Sequence, residues 1–350
     1  MKVIISFTKR YGGVTTFLYN FLKTIDLKDE DIVFLDKKID KNIQNNIEDI
    51  CSAKIILMPS YFSNVIINRF MQGVYILYFL KKEKISCDKI FFSDWNIVLD
   101  WVIHLSNKKI ISFVHAYPNR KLPGWSKRLL EYFTRNTDII TVSEYSAEKI
   151  SSKWNLDKKH INVLYNYSNL PGNKESKKII NEFRIVTIAH CETYKNPSMW
   201  LKVAKKITSK YENVTFHWYG DGTLYNKYKE LTKDEPNIIF HGYTNSITDI
   251  LDKKTNLYIQ CSLVESFGIS IVDAMNYSTP IIVTDVGGMP ETVVDGYNGY
   301  ICNNEKEFIN RIESLITDPK NYNKLSTNSK VYYEKKFSYN QWKKNIASFI

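Results

Sequence analysis

Two carboxylates eight positions apart bracket the stretch Glu265-Ser266-Phe267-Gly268-Ile269-Ser270-Ile271-Val272-Asp273. The first acid falls on a tight loop. A glycine-containing turn follows, and an amphipathic helix then carries the second acid. The free backbone N–H groups at such a helix start form an anion site, and the helix dipole adds positive potential there. Acids on both sides of a phosphate-binding helix end suit a ligand with hydroxyls on both sides of a diphosphate. A nucleotide-sugar has that layout: sugar, diphosphate, ribose.

Positioning these groups is the work of a repeated strand–helix pattern. Short apolar runs at 3–7, 32–35, 54–57, 90–93, 110–114, 139–142 and 162–164 read as strands, with helices at 14–24, 62–83, 125–134 and 147–153. The second half repeats the plan with strands at 184–188, 215–219, 238–241, 257–260, 281–284 and 299–302. Its helices fall at 198–211, 225–232, 269–275 and 305–317. Such alternation predicts two doubly wound parallel sheets, an α/β protein. Ligands of open α/β sheets bind outside the carboxyl ends of the strands, so a cleft between two facing domains is the expected site. The polar stretch 167–181, with Pro171-Gly172-Asn173, is the expected linker. The expected divisions are 1–170, 171–335 and a closing helix in 336–350, which either packs back on the first domain or closes the second. Trp342, Ile346, Phe349 and Ile350 share one face of that helix.

A chain of 350 residues with 44% hydrophobic and 14% aromatic content fits two folded cores. The start runs straight into a strand pattern, so no secretory signal is expected. The apolar region 55–80 is broken by Pro59, Asn64, Asn68 and Arg69 and is not a membrane span. Five scattered cysteines without metal spacing read as reduced thiols in a cytosolic setting. No Asp-x-Asp metal motif is apparent among the candidate site segments, and no metal or other cofactor is expected. Of the net +11, residues 1–170 hold +8 (25 Lys and Arg against 17 Asp and Glu). That excess is either solubility charge or a face for an anionic partner.

Taken together, these segments resemble the GT-B-fold retaining glycosyltransferases of family 4, the group 1 glycosyl transferases. The likeness runs over nearly the whole chain and is strongest from about 184 to 302. Glu265 and Asp273 stand at the family's two-acid signature, the second acid shorter by one methylene. Gly220-Asp221-Gly222, Phe240-His241-Gly242-Tyr243, Gly287-Gly288-Met289-Pro290-Glu291 and Asp295-Gly296-Tyr297-Asn298-Gly299 fall in register with its turns. Gly12-Gly13 opens the first helix, and Ser143 and Asn166 stand where relatives place Ser and Asn. Taken singly, Gly12-Gly13 is any tight turn, Lys195 an ordinary surface lysine and Asp221 a cap for the next helix.

The resemblance implies roles. Glu265 contacts the transferred sugar, and the backbone of Phe267, Gly268 and Ile269 holds the diphosphate with Ser266 beside it. Asp273 meets the ribose hydroxyls. Gly220 and Tyr243 line the nucleotide, and Gly13 approaches the donor phosphates. His115, after the strand at 110–114, lies near sugar and acceptor, or is simply a loop histidine. Relatives carry Gly-Arg and then Lys after the first strand of the second domain, to neutralise the leaving diphosphate. Here Lys195 keeps the cation, while His190 stands in place of Arg; Arg10 is one substitute.

The implied activity is a metal-independent, retaining transfer of a hexose-type sugar to a hydroxyl of a glycan or lipid-linked oligosaccharide. UDP is the favoured nucleotide and GDP the alternative. The setting implied is bacterial surface polysaccharide synthesis, capsule or exopolysaccharide. A sugar-nucleotide epimerase of the same fold and a non-catalytic nucleotide-sugar-binding partner remain as alternatives. The basic, aromatic-rich segment 108–135 is either a membrane-facing surface reaching a lipid-linked acceptor at the inner face of the membrane or a solvated helix. Nucleic acid is not expected, since 41 Lys against 7 Arg is poor for base and phosphate forks.

Overall fold

The computed structural model describes residues 1–60, 62–94, 96–117, 137–173, 182–244, 246–253 and 255–350. The predicted helix at 125–134, most of the basic segment 108–135, and residues 174–181 of the linker lie outside the described residues.

Two compact units are present: Met1–Tyr165 with Lys343–Ile350, and Asn166–Trp342. The first crossover precedes the expected 170/171 and the second follows the expected 335/336. Residues 167–170 are held by the second unit. The Tyr167 ring lies 5.3 Å from Trp342 and 5.4 Å from Tyr339. Asn276 donates to the Leu170 carbonyl at 2.9 Å, and the Tyr333 hydroxyl donates to the Ser168 carbonyl at 3.3 Å.

The first unit runs β1 Val3–Ser6, α1 Gly13–Ile25, β2 Ile32–Asp36, α2 Lys41–Ile50, β3 Lys54–Met58, α3 Val65–Lys82, β4 Lys89–Phe92, α4 Ile97–His104, β5 Lys109–Val114, β6 Thr137–Thr141, α5 Glu144–Trp154 and β7 Ile161–Val163. Its seven-stranded sheet has the order β3-β2-β1-β4-β5-β6-β7, and every strand pair is parallel. Strands such as Val3–Ser6 and Ile32–Asp36 are buried along their whole length, as a sheet covered on both faces demands. Side chains of Asp40, Asn64, Asn96 and Ser143 cap the helices that follow them.

α3 is apolar nearly all round. One side meets α4, where Gly73 faces Val102 at a distance that a Cβ would reduce to 2.8 Å. The other side leaves Ile66, Ile67, Phe70, Met71, Val74 and Tyr78 exposed. No helix among the described residues is long and apolar enough to cross a membrane. The chain end returns to this unit, where Lys89 Nζ donates to the carbonyls of Phe349 at 3.3 Å and Ile350 at 3.0 Å.

The second unit runs β8 Phe183–Ile188, α6 Pro197–Thr208, β9 Val214–Tyr219, α7 Tyr225–Leu231, β10 Ile238–Gly242, α8 Ile247–Lys253, β11 Leu257–Gln260, α9 Ile269–Asn276, β12 Ile281–Thr284, β13 Gly299–Cys302, α10 Glu305–Thr317, α11 Pro319–Lys336 and α12 Tyr339–Ile346. The six strands are parallel in the order β10-β9-β8-β11-β12-β13. The core centres on Trp200, which meets Trp218 at 5.4 Å, Phe240 at 5.2 Å and Phe216 at 5.6 Å, edge to face.

Both sheets are Rossmann-like. Each reverses its strand order once, between β1 and β4 in the first unit and between β8 and β11 in the second. Those are the topological switch points outside which ligands of such sheets bind.

Candidate functional site

Lys195 and Glu265 come from the loops that leave the two strands at the second unit's switch point, β8 and β11. The side chains form an ion pair, and each is only about one-seventh exposed, 13% and 15%. Lys195 closes a short 3₁₀ turn, Thr193–Lys195, ahead of α6, whose first turn is capped by the Asn196 side chain. Glu265 accepts two further bonds: from Gln260 Nε2 at 2.9 Å and from the Ser266 N–H at 3.1 Å. Hydrogen bonds to a carboxylate are the stronger kind, and here they fix its direction.

Two glycines allow this loop. Gly287, with φ +64, sits so close that a Cβ would lie 1.7 Å from the Glu265 carbonyl oxygen. That carbonyl in turn accepts from the Gly288 N–H at 3.2 Å. Gly268, with φ +94, is the N-cap of α9 and makes no side-chain capping bond. A Cβ on Gly268 would meet Ile271 Cδ1 at 2.6 Å. The start of α9 therefore carries its dipole with no side-chain capping bond, as an anion site requires. Phe267 is turned inward, 5.7 Å from the Phe337 ring, so only its backbone faces the turn.

The neighbouring loops are tied to one another. The Gly220 N–H donates to the Gly242 carbonyl at 2.7 Å, and the Cys191 N–H to the Asp221 carbonyl at 2.9 Å. Asp221 Oδ1 accepts from the Tyr243 N–H at 2.9 Å. Asp221 thus fastens the loop after β10 rather than capping α7, whose N-cap residue is Leu224 and which has no side-chain cap. Tyr243 itself is 57% exposed. His190, just past β8, is exposed, and its carbonyl accepts from the Glu192 N–H at 2.9 Å.

Asp273 lies on α9 but is nearly enclosed at 8% exposure. Burial pushes its carboxyl up to about 7, and a hydrogen bond from the Ser168 side chain offsets part of that rise. The second acid of the signature is thus beside Ser168, one turn into α9 from its uncapped start.

The first unit carries its own groups at strand ends. Gly13 opens α1, and an added Cβ on Gly12 would meet nothing. His115 follows β5, with Nε2 2.6 Å from the Ser93 carbonyl and its ring 4.5 Å from Phe17. A carbonyl only accepts, so Nε2 carries the proton. Burial pulls the imidazole down to about 4, leaving Nδ1 as a free-base acceptor at neutral pH. Asp94, after β4, accepts from the Phe7 N–H at 2.9 Å and from Ser93 Oγ at 3.0 Å. Ser143 caps α5 through its bond from the Ser146 N–H at 3.1 Å. Asn166 is buried, with Oδ1 lacking a hydrogen-bond partner among the described residues.

Sequence reasoning missed Gln260, Tyr258, Ser168 and Asp94. Gln260 is the one with a legible sign: an amide closing an otherwise apolar strand just ahead of the first acid.

Residues 172–332 match the family model described as glycosyl transferases group 1. The chain is 38% identical over 87 residues to an alpha-1,3/1,6-mannosyltransferase, ALG2, of Dictyostelium discoideum, covering 25% of this chain and 21% of that one. It is 23% identical over 307 residues to a poly(ribitol-phosphate) alpha-N-acetylglucosaminyltransferase of Staphylococcus aureus, covering 82% of this chain and 59% of that one. The chain thus spans less than two thirds of either relative. Among solved structures, Anabaena HepE in complex with UDP superposes with a TM-score of 0.81 at 17% identity, over 100% of this chain and 99% of that one. The fold is that of the GT-B glycosyltransferases, as the sequence led one to expect.

Proposed function

We propose that this chain is a retaining, metal-independent glycosyltransferase. It moves a sugar from a nucleoside-diphosphate donor, UDP-sugar by preference, to a hydroxyl of a glycan or lipid-linked acceptor in bacterial surface polysaccharide synthesis. The observation that carries the reading is the Lys195–Glu265 pair at the switch point, beside an α-helix start that no side chain caps. A phosphate-binding helix end, a cation for the leaving diphosphate and a carboxylate for sugar hydroxyls are what such a donor needs. The group 1 match over 172–332 and the likeness to HepE, itself solved with UDP and with UDP-glucose, support the same donor class.

Within this reading Lys195 meets the diphosphate, with the N–H groups of Phe267, Gly268 and Ile269 around it and Ser266 beside them. His190, Gly220 and Tyr243 line the nucleotide, and Asp273 serves the ribose side. Gly13 and His115 serve the donor phosphates and acceptor from the first unit, His115 through its free-base Nδ1. The departing diphosphate assists deprotonation of the acceptor on the sugar face it leaves. A peripheral place on the inner face of the membrane, through 108–135, fits the exposed apolar side of α3 and the basic first half.

A thermal-shift screen over UDP, GDP, ADP and CMP is the first test, because a ligand of the folded state raises its melting temperature. UDP is expected to give the largest shift. The anomeric configuration of the transferred sugar, read by NMR, tests retention. Chelator followed by Mg²⁺ or Mn²⁺ tests metal independence: activity lost to chelator and restored by the ion overturns it. An unchanged rate in Glu265→Ala refutes the site.

A further inference from the structure

Gln260 is the last residue of β11 and only 1% exposed. An amide in that position costs free energy unless both of its ends are bonded. Both ends are. Nε2 donates to Glu265 Oε2 at 2.9 Å and to Ser262 Oγ at 3.2 Å. Oε1 lies 3.0 Å from the Tyr258 hydroxyl and 3.4 Å from Ser270 Oγ. The Tyr258 hydroxyl closes the set, 2.7 Å from Ser270 Oγ and 3.2 Å from the carbonyl of Ile188 at the end of β8. The ionised carboxylate only accepts, so the amide nitrogen must face Glu265 and the amide oxygen must face the two hydroxyls.

Two side chains therefore hold Glu265 Oε2: Lys195 and Gln260. A diphosphate at the start of α9 competes for the Lys195 ammonium. Once Lys195 turns to phosphate oxygens, Gln260 is the side chain that still aims the carboxylate. Ser270 stands in the first turn of that same helix, so one connected group of bonds joins the phosphate end to the sugar-facing acid.

We propose that Gln260 is a positioning residue of the donor site. It holds Glu265 toward the sugar and, with Tyr258 and Ser270, couples that carboxylate to the helix end that receives the diphosphate. The inference rests on the donor site proposed above.

The test compares wild type, Gln260→Leu, Gln260→Glu and Ser270→Ala, with UDP-sugar as donor and UDP as the thermal-shift probe. Loss of one charge-assisted hydrogen bond corresponds to about 10- to 100-fold in kcat, and that is expected of Gln260→Leu with donor KM and the UDP shift nearly kept. Gln260→Glu sets two carboxylates together, so it is expected to transfer well only at acid pH, where the pair shares a proton. Ser270→Ala, on the more open side of the group, is expected to lower kcat by a smaller factor. Wild-type kcat with an unshifted pH profile in Gln260→Glu and Ser270→Ala overturns the inference alone. So does a folded Gln260→Leu whose loss lies wholly in UDP binding. A wild type that neither binds UDP nor transfers removes the donor site itself.

Discussion

Gly287 and Glu265 come from different loops, yet a Cβ on the first would stand 1.7 Å from the carbonyl oxygen of the second. Side chain and backbone cannot share that space, and the φ of +64 at Gly287 disfavours any residue with a Cβ. Gly287→Ala is therefore expected to cost about 2–4 kcal/mol from left-handed strain and overlap together. It should also displace the Glu265 loop. Denaturant unfolding reads the first effect and the UDP thermal shift the second. A variant with native stability and an undiminished shift would show that this turn does not carry the loop.

Lys195→Met keeps the length of the side chain and removes its charge. Transfer is expected to fall by about 10²- to 10³-fold, the scale of losing one preorganised stabiliser of developing charge. Lys195→Arg should recover part of the rate, because the charge survives while the single-point geometry does not. Steady-state kinetics with UDP-sugar check both; equal rates in Lys195→Met and wild type would remove Lys195 from the chemistry.

Asp273 contributes a pH dependence of definite sign. Its folded-state value of about 7 stands above the ordinary 3.8, so the native protein holds a proton that the unfolded chain has released. Stability from this group is full below pH 3.8 and is lost as pH rises toward 7. Asp273→Asn, which cannot ionise, is expected to remove that loss and to raise the unfolding midpoint most at pH 7 and above. Equal midpoint differences at pH 4 and pH 8 would contradict it.

His217 acts in the opposite direction. It is 1% exposed, 2.8 Å from Arg184 Nε and 2.9 Å from His241 Nε2, and burial with the nearby Arg184 charge pulls it down to about 3. The unfolded chain binds a proton here first, near the ordinary 6.5. Stability from this group is therefore present above pH 6.5 and is lost as pH falls toward 3. His217→Asn or His217→Gln is expected to flatten the acid limb of the unfolding midpoint against pH, measured against wild type. An unaltered acid limb would place the acid sensitivity elsewhere.

Much of the architecture was legible because parallel strands buried on two faces are written as continuous apolar runs, and those runs located the strands within a residue or two. The Glu265 loop and the Gly268 helix start were legible for the same reason that they work: loop acids and glycines are local signals. What escaped was encoded in contacts between distant segments. α11 was missed because much of its inward face is hydroxyl rather than hydrocarbon. Ser326 and Ser329 donate to the carbonyls of Ser278 and Thr279, both at 2.7 Å, between the buried Tyr322, Leu325 and Tyr333. α2, α4 and α8 are short, at 10, 8 and 7 residues, and so give few turns of helical pattern to read. Gln260 carries one local sign, an amide closing an apolar strand, but its partner is fixed only when Glu265 folds back onto it. The early crossover was hidden because Ser168 and Leu170 are polar-loop residues by sequence and are fixed by α9 and α11 only in the fold.

Both chain termini described here belong to the first unit, while the second is one uninterrupted run, Asn166–Trp342. In gene terms the second unit is one continuous piece of reading frame, and its far boundary falls inside α12, Tyr339–Ile346. The first unit, by contrast, is written in two pieces, and trimming the last eight residues, Lys343–Ile350, would take them from it rather than from the run that precedes them.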